Sequence, residues 1–206
     1  ADQIYADYTD MLADREIDAV IIATADAFHL PAAIQAVTAG KHALIEKPLG
    51  NDLQQALELR NLAFANNRYI QVGHMKRYDP GIQYACKFVQ KELGIPIKYK
   101  GWYCDSSRRY DMTDSTQPLP FRGNQVRKPE KDPKKNRSTY YLMAHGSHLL
   151  DLARLLAGPL QSIRVSFRIV RGIYSWLMDV DFEGGFHGQL DLTVAIHRDW
   201  HEGFEI

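Results

Sequence analysis

Two groups of residues in this sequence have the types and spacing for proton chemistry. The first is Glu46, Lys47 and Pro48, which close the short apolar run in KHALIEKPLG. A lysine ammonium can offer its donors to a substrate oxygen, and a neighbouring carboxylate can fix its position or charge. The proline sets the local backbone and permits a cis peptide. The second group is His145 and His148 in HGSHLLDLARLLAG. Residues three apart share a face of an α-helix, which places Tyr141 and Ala144 beside them and turns Leu142, Leu149 and Leu156 elsewhere. An imidazole is well matched to accepting and returning a proton near neutral pH. Each group also has a plain reading, a solvated turn after a strand and hydrogen-bonded structural histidines on a helix.

The elements that position these groups can be read from periodicity. YADYTDMLADREI has Tyr8, Met11 and Leu12 at helical spacing. DAVIIAT is a continuous β-branched run of the kind found in strands covered on both faces, which implies a parallel sheet. PAAIQAVTAG predicts a helix with Pro31 in its first turn and Gly40 as its C-terminal cap, leading into the strand HALIE. A helix from Leu53 to Asn66 and the strand YIQVGH complete a strand-helix-strand series with right-handed crossovers. Lys47 then stands at the carboxyl end of a parallel strand, where open α/β sheets bind their ligands.

A different pattern begins near Arg77. A helix is predicted from about Pro80 to Leu93, with Ile82, Ala85, Cys86 and Val89 on its apolar face and Gly94 closing it. IKYKGWYCD alternates as a strand. Ser106 to Arg137 has neither period and four prolines, and reads as a long loop, a lid, a partner arm or a flexible excursion. After the histidine helix, SIRVSFRIV, YSWLMDVDFE and GFHGQLDLTVAI are consecutive alternating strands. In these strands Val165, Phe167 and Ile169 are expected on one side of the sheet, with Ile163, Arg164, Ser166 and Arg168 mostly on the other. The fold class is α/β: the C-terminal part of a Rossmann-type parallel sheet over residues 1–76, then an α+β domain with a large, mainly antiparallel sheet over 77–206.

Composition limits the function. With 206 residues, 45% of them hydrophobic and 24% charged, the chain can bury a substantial core. Twenty-five basic residues balance 25 acidic ones, so no nucleic-acid footprint is present and small-molecule chemistry is favoured. Cys86 and Cys104 match neither a disulfide scaffold nor a zinc site, which suits a reducing cytoplasm. No apolar run is long enough to span a bilayer, and no export signal is visible. His145 and His148 with His74 or His187 could chelate a metal, but no cysteine or carboxylate completes a convincing ligand set, so no metal is expected.

Four segments in order, IDAVIIATADAFHLPAAIQAVTAGKHALIEKPLG, VGHMKRYDP, HGSHLLDLARLLAG and VDFEGGFHGQLDLT, resemble the Gfo/Idh/MocA oxidoreductases. The resemblance implies an NAD- or NADP-dependent enzyme that moves a hydride between a nicotinamide and a secondary alcohol of a sugar, cyclitol or related polyol. It implies Lys47 and His148 as acid-base residues, with His148 as principal base in the oxidation direction. The family's helix carries D-x-x-x-H, but the aspartate position is Ala144 here, so His145 either takes that place or the partner role is lost. The departure keeps open a second class, a dehydrogenase-like binding or regulatory protein without catalysis. Backbone groups of Thr24, Ala25 and Asp26, together with His29, Glu46 and Lys47, are expected near the cofactor. Arg77, Tyr78, Trp102 and Tyr141 are expected toward the substrate, and Asp151 in helix packing or orientation. Such enzymes pair through the C-terminal sheet, so a homo-oligomer is expected. No G-x-G-x-x-G turn occurs, and the sequence resembles a family member without its first βαβ unit, ending at HEGFEI within the second sheet.

Overall fold

A computed structural model describes residues 3–94, 96–106, 135–195 and 199–206. The chain forms two compact units and passes from one to the other between His74 and Met75. Most of the loop expected between Ser106 and Arg137 lies outside the described residues.

The first unit begins with α1 (Tyr8–Ala13) and alternates strand and helix through β1 (Ala19–Ile22), α2 (His29–Thr38), β2 (His42–Ile45), α3 (Leu53–Ala65) and β3 (Ile70–Val72). The three strands lie parallel in the order β1-β2-β3, with Val20 opposite Ala43 and Ile45 opposite Val72. Helix α2 stops where its sequence requires. Gly40 takes φ +79°, its N–H reaches Val37 O at 3.0 Å, and Lys41 N–H reaches Ala36 O at 2.9 Å, the paired bonds of a Schellman cap. Asp52 caps α3 by accepting from Gln55 N–H at 3.0 Å. Val20, Ile22, Ala43 and Ile45 pack with Leu30, Ala33, Val37, Leu59 and Ala63 into one core. Burying each of the larger side chains contributes about 1.5–3 kcal/mol.

The expectation of a sheet covered on both faces is corrected. Along β1 burial alternates, with Val20 and Ile22 inside and Ile21 75% exposed. Leu44 on β2 is also exposed. Both connecting helices of this unit carry the buried face, and the β-branched run gave no sign of which residues would stay outside.

The second unit contains α4 (Pro80–Lys91), β4 (Lys98–Ser106), α5 (Arg137–Tyr141), a π-helical turn over Leu142–Gly146, α6 (Ser147–Ala157), β5 (Leu160–Val170), β6 (Ile173–Phe182), β7 (His187–Ala195) and β8 (His201–Glu205). The sheet runs β5-β6-β7-β4-β8, antiparallel except where β4 lies parallel to β7. Side chains alternate across it. Tyr99 and Tyr103 of β4, Leu190, Leu192 and Val194 of β7, and Trp176, Met178, Val180 and Phe182 of β6 form the core with Leu149, Ala153 and Leu156 of α6. Gly101 lets α6 approach the sheet: a Cβ there would stand 3.1 Å from Leu149 Cδ1 and 3.0 Å from the Tyr99 ring.

The register corrects one assignment of faces. Ile163 pairs with Val180 and Val165 with Met178, so Ile163 shares the side of Val165, Phe167 and Ile169. A strand period of two requires this, because the register shift lies between Leu160 and Ser162, before Ile163. Among the described residues no helix is long and apolar enough to cross a membrane.

Candidate active site

In the first unit, the site residues gather where β1 and β2 end. Thr24 and Ala25 are exposed, and Asp26 opens a short 3-10 turn, Asp26–Phe28, whose Phe28 N–H closes on Ala25 O at 2.8 Å. Glu46 folds back so that its carboxylate accepts from the Lys47 N–H at 3.0 Å. The Lys47–Pro48 peptide is cis. Pro48 is buried while Lys47 remains half-buried, so the proline anchors the loop and the lysine stands at its edge. Gly50 completes the anchor, since a Cβ there would lie 2.3 Å from Leu30 Cδ1.

His29 sits differently from the expectation that it faces a cofactor. It is 1% exposed. Its Nδ1 lies 2.7 Å from the Pro48 carbonyl oxygen and its Nε2 lies 3.0 Å from the Thr24 carbonyl oxygen. Both nitrogens are thus spent inside the unit, where the ring ties the loop after β1 to the loop after β2. Both loops lie at the carboxyl ends of parallel strands, the edge at which open α/β sheets bind dinucleotides. Thr24, Ala25, Asp26 and Glu46 stand at this edge with Lys47 beside them.

In the second unit, the two histidines lie where a helix becomes irregular. The π-helical turn Leu142–Gly146 joins α5 to α6, so His145 stands in the wide turn and His148 in the first turn of the regular helix. Such turns often accompany functional sites. Both rings are buried, at 4% and 8% exposure. They share the Tyr103 ring of β4, whose centroid lies 5.4 Å from His145 and 6.1 Å from His148, nearly parallel to the latter. Tyr141 closes the other side of His145 at 6.2 Å and meets Tyr174 edge-on at 5.1 Å.

A cation and a carboxylate complete the surroundings. Lys76 Nζ lies 5.4 Å from the Tyr103 centroid, also 5.4 Å from Trp200, and pairs with Glu202. Asp105, at the carboxyl end of β4 and 1% exposed, places Oδ2 3.6 Å from His145 Nδ1. Its other oxygen accepts from the Ser106 N–H at 2.8 Å. Neither Lys76 nor Asp105 was singled out from sequence. Asp105 had one usable signal, a charged residue with the same strand parity as Tyr99 and Tyr103.

The remaining expected residues divide. Arg77 clasps Asp151 of α6 with Nε at 2.8 Å and Nη2 at 2.6 Å, which holds its guanidinium charge strongly through that hydrogen bond. This brings the Met75–Tyr78 turn onto the helix. Tyr78 is 62% exposed. Trp102 is corrected: alternation along β4 puts it on the sheet face opposite Tyr103 and both histidines. There it borders a cleft of about 400 Å³ with Lys100, Asp191, Thr193, His201 and Glu205. Trp102 and Tyr103 are both aromatic, so sequence gave no means of choosing which one faced the helix. Among the described residues no group of three His, Cys, Asp or Glu is arranged to hold a metal.

Residues 2–74 match the oxidoreductase family with the NAD-binding Rossmann fold. Inositol 2-dehydrogenase of Salmonella paratyphi B is 31% identical over 107 residues, 50% of this chain and 31% of that protein. The match therefore spans about a third of that relative's length. Two solved structures share the fold across nearly the whole chain. A Klebsiella pneumoniae NAD-binding oxidoreductase aligns with TM-score 0.76 and 21% identity over 97% of this chain and 54% of its own. Scyllo-inositol dehydrogenase of Lactobacillus casei, solved with NAD(H) and scyllo-inositol, aligns with TM-score 0.71 and 20% identity over 96% and 57%.

Proposed function

We propose that the intact protein is an NAD(P)-dependent dehydrogenase acting on a secondary alcohol of a cyclitol, sugar or related polyol, because residues 2–74 match the oxidoreductase family with the NAD-binding Rossmann fold. The observation that carries the proposal is Lys47 at the carboxyl end of a parallel strand, beside a cis proline, within the segment that matches the family. The nicotinamide, when bound, accepts or returns the hydride. The residues of this chain manage the alcohol and its proton. Lys47 donates a hydrogen bond to the reacting oxygen and stabilises the negative charge that grows there as the proton leaves. His148 takes that proton in the oxidation direction and returns it in reduction. Tyr103, stacked on His148, restricts how the imidazole can turn. The polyol class rests on the inositol dehydrogenases among the relatives.

The open face of the five-stranded sheet supports a homo-oligomer. It carries Arg164, Arg168 and Lys100 together with Asp179, Asp191 and Glu205, charges of both signs that a second copy related by a two-fold axis can match. Cys86 and Cys104 are free thiols, which suits the cytoplasm. The deciding experiment incubates the intact protein with NAD or NADP and a panel of cyclitols and sugars. Reduction of the nucleotide by one or more of them is expected, and silence across the whole panel with both nucleotides refutes the assignment.

A further inference from the structure

The proposed reaction uses Lys47 and His148 and does not use the buried carboxylate of Asp105. Asp105 is 1% exposed and His145 4% exposed, and they lie on different elements that converge on the ring of Tyr103. A buried ionised carboxylate is costly unless charge or hydrogen bonds compensate it. One oxygen of Asp105 is met by the Ser106 N–H. The other faces His145 Nδ1 at 3.6 Å, within ion-pair range and too long for a hydrogen bond. We propose that Asp105 is a positioning residue: it keeps a proton on Nδ1 of His145, which leaves Nε2 as that ring's acceptor and makes Asp105 and His145 a carboxylate–imidazole pair beside His148. The pair supplies from strand β4 a negative charge that the helix, with Ala144 in its buried π turn, does not supply. This role rests on the dehydrogenase reading for its purpose, and on geometry alone for its existence.

Several of the described groups facing His145 can be named. From β4 come Asp105 and the Tyr103 ring, from α5 the Tyr141 ring, and from α6 His148, which shares the Tyr103 ring. Lys76, over the same ring, is the nearby cation, and Glu202 pairs with it. Of these named groups, Asp105 is the acidic one, with Oδ2 3.6 Å from Nδ1. Its charge favours a proton on Nδ1 and favours the doubly protonated ring over the neutral one.

The test is nitrogen NMR of the histidine rings in the intact protein, wild type against Asp105→Asn, with the exposed His187 as internal reference. In the wild type, His145 is expected as the Nδ1–H tautomer when neutral. In Asp105→Asn its titration midpoint is expected to fall, with His187 unmoved. A purely packing role for Asp105 moves neither quantity. A wild-type His145 found as the Nε2–H tautomer overturns the proposal on its own, even if Asp105→Asn does not fold. An unchanged midpoint in a folded Asp105→Asn overturns it as well. These readings need no nucleotide or substrate, so they stand apart from the dehydrogenase assignment. Where turnover is observed, Asp105→Asn should lower kcat about tenfold or more and leave the KM for nucleotide unchanged. A variant with wild-type kcat across the pH range would refute the positioning role.

Discussion

Replacing His29 with alanine should cost far more than the loss of one small aromatic ring from a loop. The ring is 1% exposed and bridges two carbonyl oxygens, Pro48 O at 2.7 Å and Thr24 O at 3.0 Å. A neutral imidazole donates to one of them and an imidazolium to both. At about 1 kcal/mol for each buried hydrogen bond, the bridge contributes about 1–2 kcal/mol. The emptied ring volume, beside Leu30 and the Gly50 close approach, adds about 1–2 kcal/mol because the two anchored loops cannot collapse into it. His29→Ala is thus expected to destabilise the first unit by about 2–4 kcal/mol, measured by urea unfolding followed by a probe in that unit. His29→Gln, which keeps an amide donor, should recover part of the loss. Because the bridge fixes the peptide that follows Lys47, His29→Gln should also lower kcat at saturating substrate while remaining folded. A loss below about 1 kcal/mol for His29→Ala would refute the bridge as the anchor of the two loops.

Lys47→Ala in the intact protein should abolish most turnover and leave nucleotide affinity nearly unchanged, since the lost interaction forms with the reacting oxygen; equal loss of nucleotide binding by calorimetry would show that the lysine belongs to the cofactor site. Asp181 on β6 is held below its ordinary value of 3.8, first by the Ser162 hydroxyl at 2.5 Å and then by His187 at 2.6 Å. A depressed carboxylate stabilises the fold above its unfolded value and loses that contribution as pH falls through the folded value, so this exposed, solvent-screened contact should contribute little and fade as Asp181 protonates. Carbon NMR of the Asp181 carboxyl should show the low midpoint, and Ser162→Ala should raise it; a midpoint at or above the ordinary value refutes the contact. Light scattering should find an oligomer at micromolar concentration, and charge reversal at Lys100 or Asp191 should weaken it; a monomer counts against pairing through the open sheet face.

The first unit was nearly legible from sequence because its signals are local. Pro31 and Gly40 bracket α2, and the apolar runs that became β1 and β2 lie where they were expected. Which face of those runs would be covered was not local, and Ile21 shows the cost of inferring two-sided burial from branching alone. In the second unit, alternation marked β5, β6 and β7 correctly but did not fix which parity met the helices. That ambiguity misplaced Trp102 relative to the histidines. Asp105 was hidden for another reason: it lies about forty residues before His145 in the sequence, and only the packing of α6 against β4 brings the two together. The departure at Ala144 was visible, whereas a carboxylate arriving from a strand was not.

The π turn at Leu142–Gly146 has a consequence at the level of the gene. Such a turn amounts to an α-helix carrying one residue too many, accommodated as a local widening. Removing a single codon from this stretch would let the helix close into regular turns from Arg137 to Ala157. Because the wide turn already absorbs the extra residue, the flanking segments would keep their faces, Tyr141 on one side and the Asp151 clasp and the core leucines on the other, while the side chains within 142–146 would change direction. One-residue length changes at this point are therefore a means by which descendants of this sequence could re-aim His145 without disturbing the helix that supports it.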